Sequence, residues 1–154
     1  MADSPSDEKP RVSDADMLAR FQNSKKRPPC SETLGMRLVE VEQDAQRIRM
    51  QFDVPGMYAN PTGADQGGFI AAMMDEAMST CCIIASNVTM TAPTLEMKTS
   101  YLRRLMPGNA SVEARILKWG RSAAFMEAEC FDDAGRLVAK ATATAIPMPF
   151  KRLN

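Results

Sequence analysis

Histidine is missing from all 154 residues of this chain. Its absence removes the Ser-His-Asp triad, the Cys-His dyad and the HExxH zinc site, each of which needs an imidazole. Any catalysis must rest on carboxylates, amides, hydroxyls, backbone donors or a cofactor. Net charge is missing as well: 19 Lys and Arg balance 19 Asp and Glu. Bulk electrostatics therefore argue against nucleic acid or a membrane surface as a partner. No apolar run reaches transmembrane length. The N-terminal MADSPSDEKPRVSDAD has no apolar core, so a secretory signal is not expected and a cytoplasmic protein is. The four cysteines (Cys30, Cys81, Cys82, Cys130) show neither metal-ligand nor redox spacing. They read as reduced core thiols, and no metal is expected.

One further absence is local. Between Arg49 and Lys98 there is no Lys or Arg. This stretch contains NPTGADQGGFIAAMMDEAMSTCCIIAS, residues 60–86, in which turn formers give way to about five turns of apolar and small residues. Only Asp75 and Glu76 are charged within those turns. A helix apolar on nearly all sides belongs inside a protein, and a carboxylate there needs a partner or a task. Asp75 has two readings at this level. Desolvation on a face of Ala71, Ala72, Met78, Ser79 and Cys82 would raise its pKa and make it a base. Alternatively, it sits in the half of the helix favoured by the dipole and open to water.

The remainder reads as one domain. Residues 1–12 are polar and proline-containing and are expected to be a disordered tail, followed by a single domain over 13–154. Ser13 is a candidate N-cap for a short helix with Met17, Leu18 and Phe21 on its apolar stripe. Two strands come next. In the first, Met36, Leu38 and Glu40 alternate with Arg37, Val39 and Val41; in the second, Ile48, Met50 and Phe52 share a face. After the long helix come four more strands, with Leu95, Met97, Thr99 and Tyr101 on one face of the first and an Ala-rich face on the last. The predicted fold class is α+β, an antiparallel sheet of about six strands curled around one long helix.

This order, with the residues of the loop, resembles the hotdog-fold acyl-CoA thioesterases, in particular the phenylacetate-degradation and 4-hydroxybenzoyl-CoA type. That family carries an Asn, then His-Gly-Gly six residues on, then an acid nine beyond the His; here the frame reads Asn60, Gln66-Gly67-Gly68 and Asp75. Thr94 to Tyr101 is similar to the family's next strand, and Lys118-Trp119-Gly120-Arg121 to a later turn. The departure is Gln66, which can donate a hydrogen bond but cannot carry a proton.

The resemblance implies a hotdog fold and hydrolysis of an acyl-CoA thioester, with no cofactor beyond the coenzyme A of the substrate. It implies Asp75 as general base or nucleophile and the Gly67 N–H as oxyanion donor, with Gly68 serving close packing. Asn60 and Thr94 would hold water or carboxylate, Thr94 coming from a partner subunit, and Gln66 would help polarise the carbonyl. Glu76 stands in reserve for Asp75. A homodimer or dimer of dimers, with the site shared across the dimer interface, is implied too.

Between Lys98 and Arg121 six basic residues face one acid, Glu113. Of these, Arg103, Arg104 and Arg121 are the preferred contacts for the coenzyme A phosphates. Two alternatives remain: a hotdog module that binds acyl-CoA without cleaving it, and a dehydratase or hydratase, disfavoured by the missing His.

Overall fold

A computed structural model describes residues 10–150. The tail expected at 1–12 lies, apart from its last three residues, outside the described residues. Of those three, Arg11 pairs with Asp44, and the Val12 amide donates to Asn87 Oδ1.

Helix α1 (Asp14–Gln22) starts where the sequence indicates: Ser13 Oγ accepts from the Asp16 amide. Two acids in its first turn and Arg20 in its last suit the helix dipole. A short helix α2 (Pro29–Thr33) comes after it. Here the proline pair opens a helix, because Pro at the first helical position gives up only an amide that would be unsatisfied anyway.

Strands β1 (Arg37–Glu42), β2 (Arg47–Val54), β4 (Thr94–Tyr101), β5 (Gly108–Trp119), β6 (Ala124–Asp132) and β7 (Leu137–Ala145) form one antiparallel sheet in the order β1-β2-β5-β6-β7-β4. A separate two-residue ladder pairs β3 (Met90–Thr91) with β8 (Met148–Pro149). The sheet wraps around α3 (Gly67–Ala85), the long helix. Its inner face carries Ile48, Met50, Phe52, Val112, Ala114, Met126, Ala128 and the alanines of β7, packed against Met73, Met74, Ala77 and Met78 of α3 in one core. The small residues of β7 let the helix lie close to the sheet.

Two of the alternations expected from sequence are broken by β-bulges, each of which inserts a residue and reverses the facing of the strand beyond it. In β1 the register shifts between Leu38 and Glu40, so Leu38 and Val41 are both buried. In β4 it shifts between Thr94 and Glu96. Leu95, expected to share one face with Met97, Thr99 and Tyr101, is 64% exposed, while Thr94 turns inward towards α3.

Contrary to the expectation that no apolar run reaches transmembrane length, α3 is long and apolar enough to pass for a membrane span by composition, yet half of that window is buried inside the domain. The other half is a stripe. Phe69, Ala72, Asp75, Glu76, Ser79 and Ile83 are all half-buried, at helical spacing on one side. Three of these six residues are apolar, and the others include the two carboxylates of the helix, so the open side of α3 is mixed in character.

Candidate active site

The loop before α3 is built by backbone and side chain together. Asn60 Oδ1 accepts from both the amide and the hydroxyl of Thr62, at 2.8 and 2.7 Å. This Asx turn commits the oxygen of Asn60 to its own loop. Only its Nδ2–H2 donors remain for a ligand, which narrows the role assigned from sequence to donation. The chain is then pinned by hydrogen bonds from the Asp65 amide to the Leu105 carbonyl and from the Gln66 amide to the Tyr58 carbonyl. The Tyr58 ring stacks on Phe69 with centroids 3.9 Å apart.

Gln66 is the N-cap of α3. Its Oε1 accepts from the Gly68 amide at 2.6 Å, so the side-chain oxygen is spent on the helix end and only Nε2 is left to donate. The cap also separates the two glycines. The Gly68 amide is taken, whereas the Gly67 amide has no hydrogen-bond partner among the described residues. It therefore stands at the positive end of α3 as a free donor. A side chain would be crowded at either glycine: a Cβ on Gly67 would lie 3.0 Å from the Tyr101 ring, and one on Gly68 2.7 Å from Gln66 Oε1, so the neighbour would have to shift.

Gly67 lines a cavity of about 450 Å³ together with Asn60, Asp65, Tyr101, Arg103 and Arg104. The groups free to act there are mostly donors, an arrangement fitted to an oxyanion or to phosphate oxygens. Arg103 and Arg104 have no carboxylate partner within 4 Å among the described residues. Arg121 is not in this cavity. It lies in the β5–β6 turn, and the registers Trp119↔Ala124, Ala124↔Ala145 and Thr94↔Ala145 put that turn at the Thr94 end of the sheet. Tyr101 and the arginines just after it are at the other end. Within one chain the three arginines do not form one cluster.

Asp75 lies eight residues further along α3, about 12 Å from Gly67 at the standard rise. It is half-buried and not sealed in grease. Thr94 Oγ1 donates to Asp75 Oδ1 at 2.7 Å. The bulge in β4 thus turns Thr94 onto the acid of its own chain, where the resemblance implies a Thr94 from the partner subunit. Glu76 faces a different neighbour. The buried Ser31 of α2 donates to its Oε1 at 2.5 Å, which ties Glu76 to the helix–helix contact.

Two residues of this region carry no signal in the sequence. Tyr101 donates its hydroxyl proton to the Gly67 carbonyl at 2.7 Å. Asp65 is only 5% exposed, and neither carboxyl oxygen has a hydrogen-bond partner among the described residues. Burial pushes its pKa up to about 6. Loop residues are ordinarily exposed, and nothing in GADQGG announces a buried acid. Burial also raises the thiols of Cys81, Cys82 and Cys130 to about 12, which leaves them inert.

Known proteins give a consistent picture. The model of the thioesterase superfamily matches residues 66–139. A phenylacetic acid degradation-related protein of Ralstonia eutropha JMP134 is 27% identical, with a TM-score of 0.77 over 84% of this chain and 98% of its own. The Escherichia coli PaaI protein of the phenylacetic acid degradation operon is 14% identical, with a TM-score of 0.76 over 88% and 96%. A Streptococcus mutans UA159 protein whose structure holds acetyl-CoA is 20% identical, with a TM-score of 0.70 over 83% and 97%. No curated protein matches. The chain is a hotdog-fold domain bearing the thioesterase-superfamily pattern from Gln66 to Ala139.

Proposed function

We propose that this chain hydrolyses an acyl-CoA thioester to the free acid and coenzyme A, in the cytoplasm, as a homodimer whose two sites are each shared between copies. One observation carries the reading. The free amide and the carboxylate lie about 12 Å apart on one helix, too far to act on the same thioester, and each is tied to an opposite end of β4. Gly67 is held by Tyr101 at one end and Asp75 by Thr94 at the other.

Among the described residues, strand β4 is an edge strand whose only neighbour in the sheet is β7. An unpaired edge is a template for a second strand, and twofold pairing of β4 with its own copy is antiparallel. Antiparallel pairing lays the Thr94 end of one copy beside the Tyr101 end of the other. Asp75 then meets the Gly67 amide of the second copy, and Arg121 joins the second copy's Arg103 and Arg104. The half-open stripe of α3 that carries Asp75 is covered by the same association.

In such a site Asp75 draws a proton from water as the water oxygen bonds to the acyl carbon. The carbonyl oxygen, now negative, is held by the Gly67 amide, with Asn60 Nδ2 and Gln66 Nε2 as further donors. The C–S bond then breaks, its electron pair goes to sulfur, and the proton on Asp75 passes to the departing thiolate. Arg103, Arg104 and Arg121 hold the phosphates. The superfamily match and the acetyl-CoA held by the streptococcal relative support this substrate class.

The test is release of free thiol from aliphatic and aromatic acyl-CoAs, with binding measured alongside. Saturable thiol release from at least one of them is expected. Tight binding without any release would overturn the hydrolase reading in favour of a binding module.

A further inference from the structure

We propose that Tyr101 is a positioning residue for thioester hydrolysis, acting through Gly67. The inference rests on the reading of the Gly67 amide as oxyanion donor and adds what aims it. Three observations meet at this side chain. Its hydroxyl donates to the Gly67 carbonyl at 2.7 Å, across 34 residues of chain. Its ring lies so close to Gly67 that an added Cβ would touch Cζ at 3.0 Å. It is also 51% exposed and lines the same cavity as Gly67.

The physical need is specific. Glycine has the widest backbone freedom of any residue, and a pair of them at the first turn of a helix leaves that turn poorly held. The Gly68 amide is fixed by the Gln66 cap. The Gly67 amide has no partner of its own, so its direction depends on what holds the rest of the residue. Tyr101 supplies this from outside the helix, with a hydrogen bond on the carbonyl and a ring against the Cα. Because β4 is the strand proposed to pair between copies, Tyr101 also links dimer formation to the aim of the donor.

The hydroxyl's single proton is committed to Gly67, so towards the cavity it can offer only lone pairs. It therefore does not serve as an oxyanion donor itself. Its effect is on the orientation of another group, and it is felt when charge develops on the carbonyl oxygen more than when substrate binds.

The experiment compares the full-length chain with Tyr101→Phe, which keeps the ring and removes the one hydrogen bond. Loss of a hydrogen bond that acts in the transition state lowers kcat about tenfold, with KM held within about twofold. In parallel, selective 15N-glycine labelling reads the eight glycine amides directly, and the Gly67 resonance moves in Tyr101→Phe while glycines remote from it stay in place. A purely structural Tyr101 would lower the melting temperature, leave kcat unchanged and disturb no single amide, and that result overturns the proposal. The resonance is read with or without turnover. A wild-type chain that releases no thiol would sink the hydrolase reading, while an unmoved Gly67 amide would separately sink the positioning claim.

Discussion

Asp75→Asn lowers thiol release by about a thousandfold and leaves the melting temperature within a few degrees of the parent. General-base removal costs on the order of 10²–10⁴ in rate. The substitution is chosen because it removes little else. Asn has the shape of Asp, and its side-chain oxygen can still accept the hydroxyl proton of Thr94, the one bond the structure gives Asp75. What it loses is the capacity to take a proton from water. Asp75 is also half-buried at a face open in a single copy, so no buried charge network collapses when its charge is removed. Turnover retained to within tenfold would take Asp75 out of the reaction and leave Glu76, tied to Ser31, as the acid to examine.

Asp65→Asn stabilises the protein at neutral pH, and the gain is absent in acid. In the folded chain Asp65 keeps its proton up to about pH 6, because burial penalises the charged form by more than the neighbouring Gln66 backbone favours it. In the unfolded chain the same group ionises near the ordinary 3.8. Between those values the folded state binds more protons than the unfolded state, so stability falls as pH rises. The contribution of the protonated acid is whole below about pH 4, declines up to about pH 6 and is lost above it. A displacement of about two units corresponds to roughly 3 kcal/mol as a ceiling. Asn does not titrate, so the difference between variant and parent opens across this window and then levels. Urea denaturation of both proteins at intervals from pH 4 to pH 8 measures it. All other titrating groups are common to the two proteins and cancel. A difference that stays constant over that range would mean that Asp65 is ionised and paired throughout.

The architecture was legible in the sequence because it rests on periodicity and punctuation. Alternating faces in β5, β6 and β7, an apolar helix of about five turns and glycine- or proline-marked turns leave few arrangements for a chain of this size. The frame of Asn60, Gln66, Gly67 and Asp75 was seen in the sequence only through the family resemblance, whose spacing lies within one loop and one helix; its part in catalysis is the proposal made above. The features that stayed concealed depend on contacts distant in the chain. The bulge after Thr94 reverses the facing of Leu95 and brings Thr94 to Asp75, and no local pattern encodes a one-residue insertion in a ladder. Tyr101 is one strand aromatic among the inner positions until its hydroxyl is seen on Gly67. The resemblance implies that Asn60 holds water or carboxylate and that Gln66 helps polarise the carbonyl; what it does not reveal is that each spends its oxygen on the loop or the helix end and keeps only its amide N–H groups to donate. Arg121 belongs with Arg103 and Arg104 by charge, but strand register puts it at the opposite end of the sheet in one chain. Sequence proximity of charges says little about which end of a hairpin they occupy.

The division of the site between two copies is tested most directly by mixing two inactive variants. Asp75→Asn keeps a working amide tip, and Gly67→Val, whose side chain meets the Tyr101 ring, keeps a working acid. When the two are co-refolded in equal amounts, half of the dimers carry one of each, and every mixed dimer has one site with both wild-type groups. Thiol release should return to about a quarter of the wild-type rate, the value for random twofold assembly. A mixture no more active than its separate components would contradict the account.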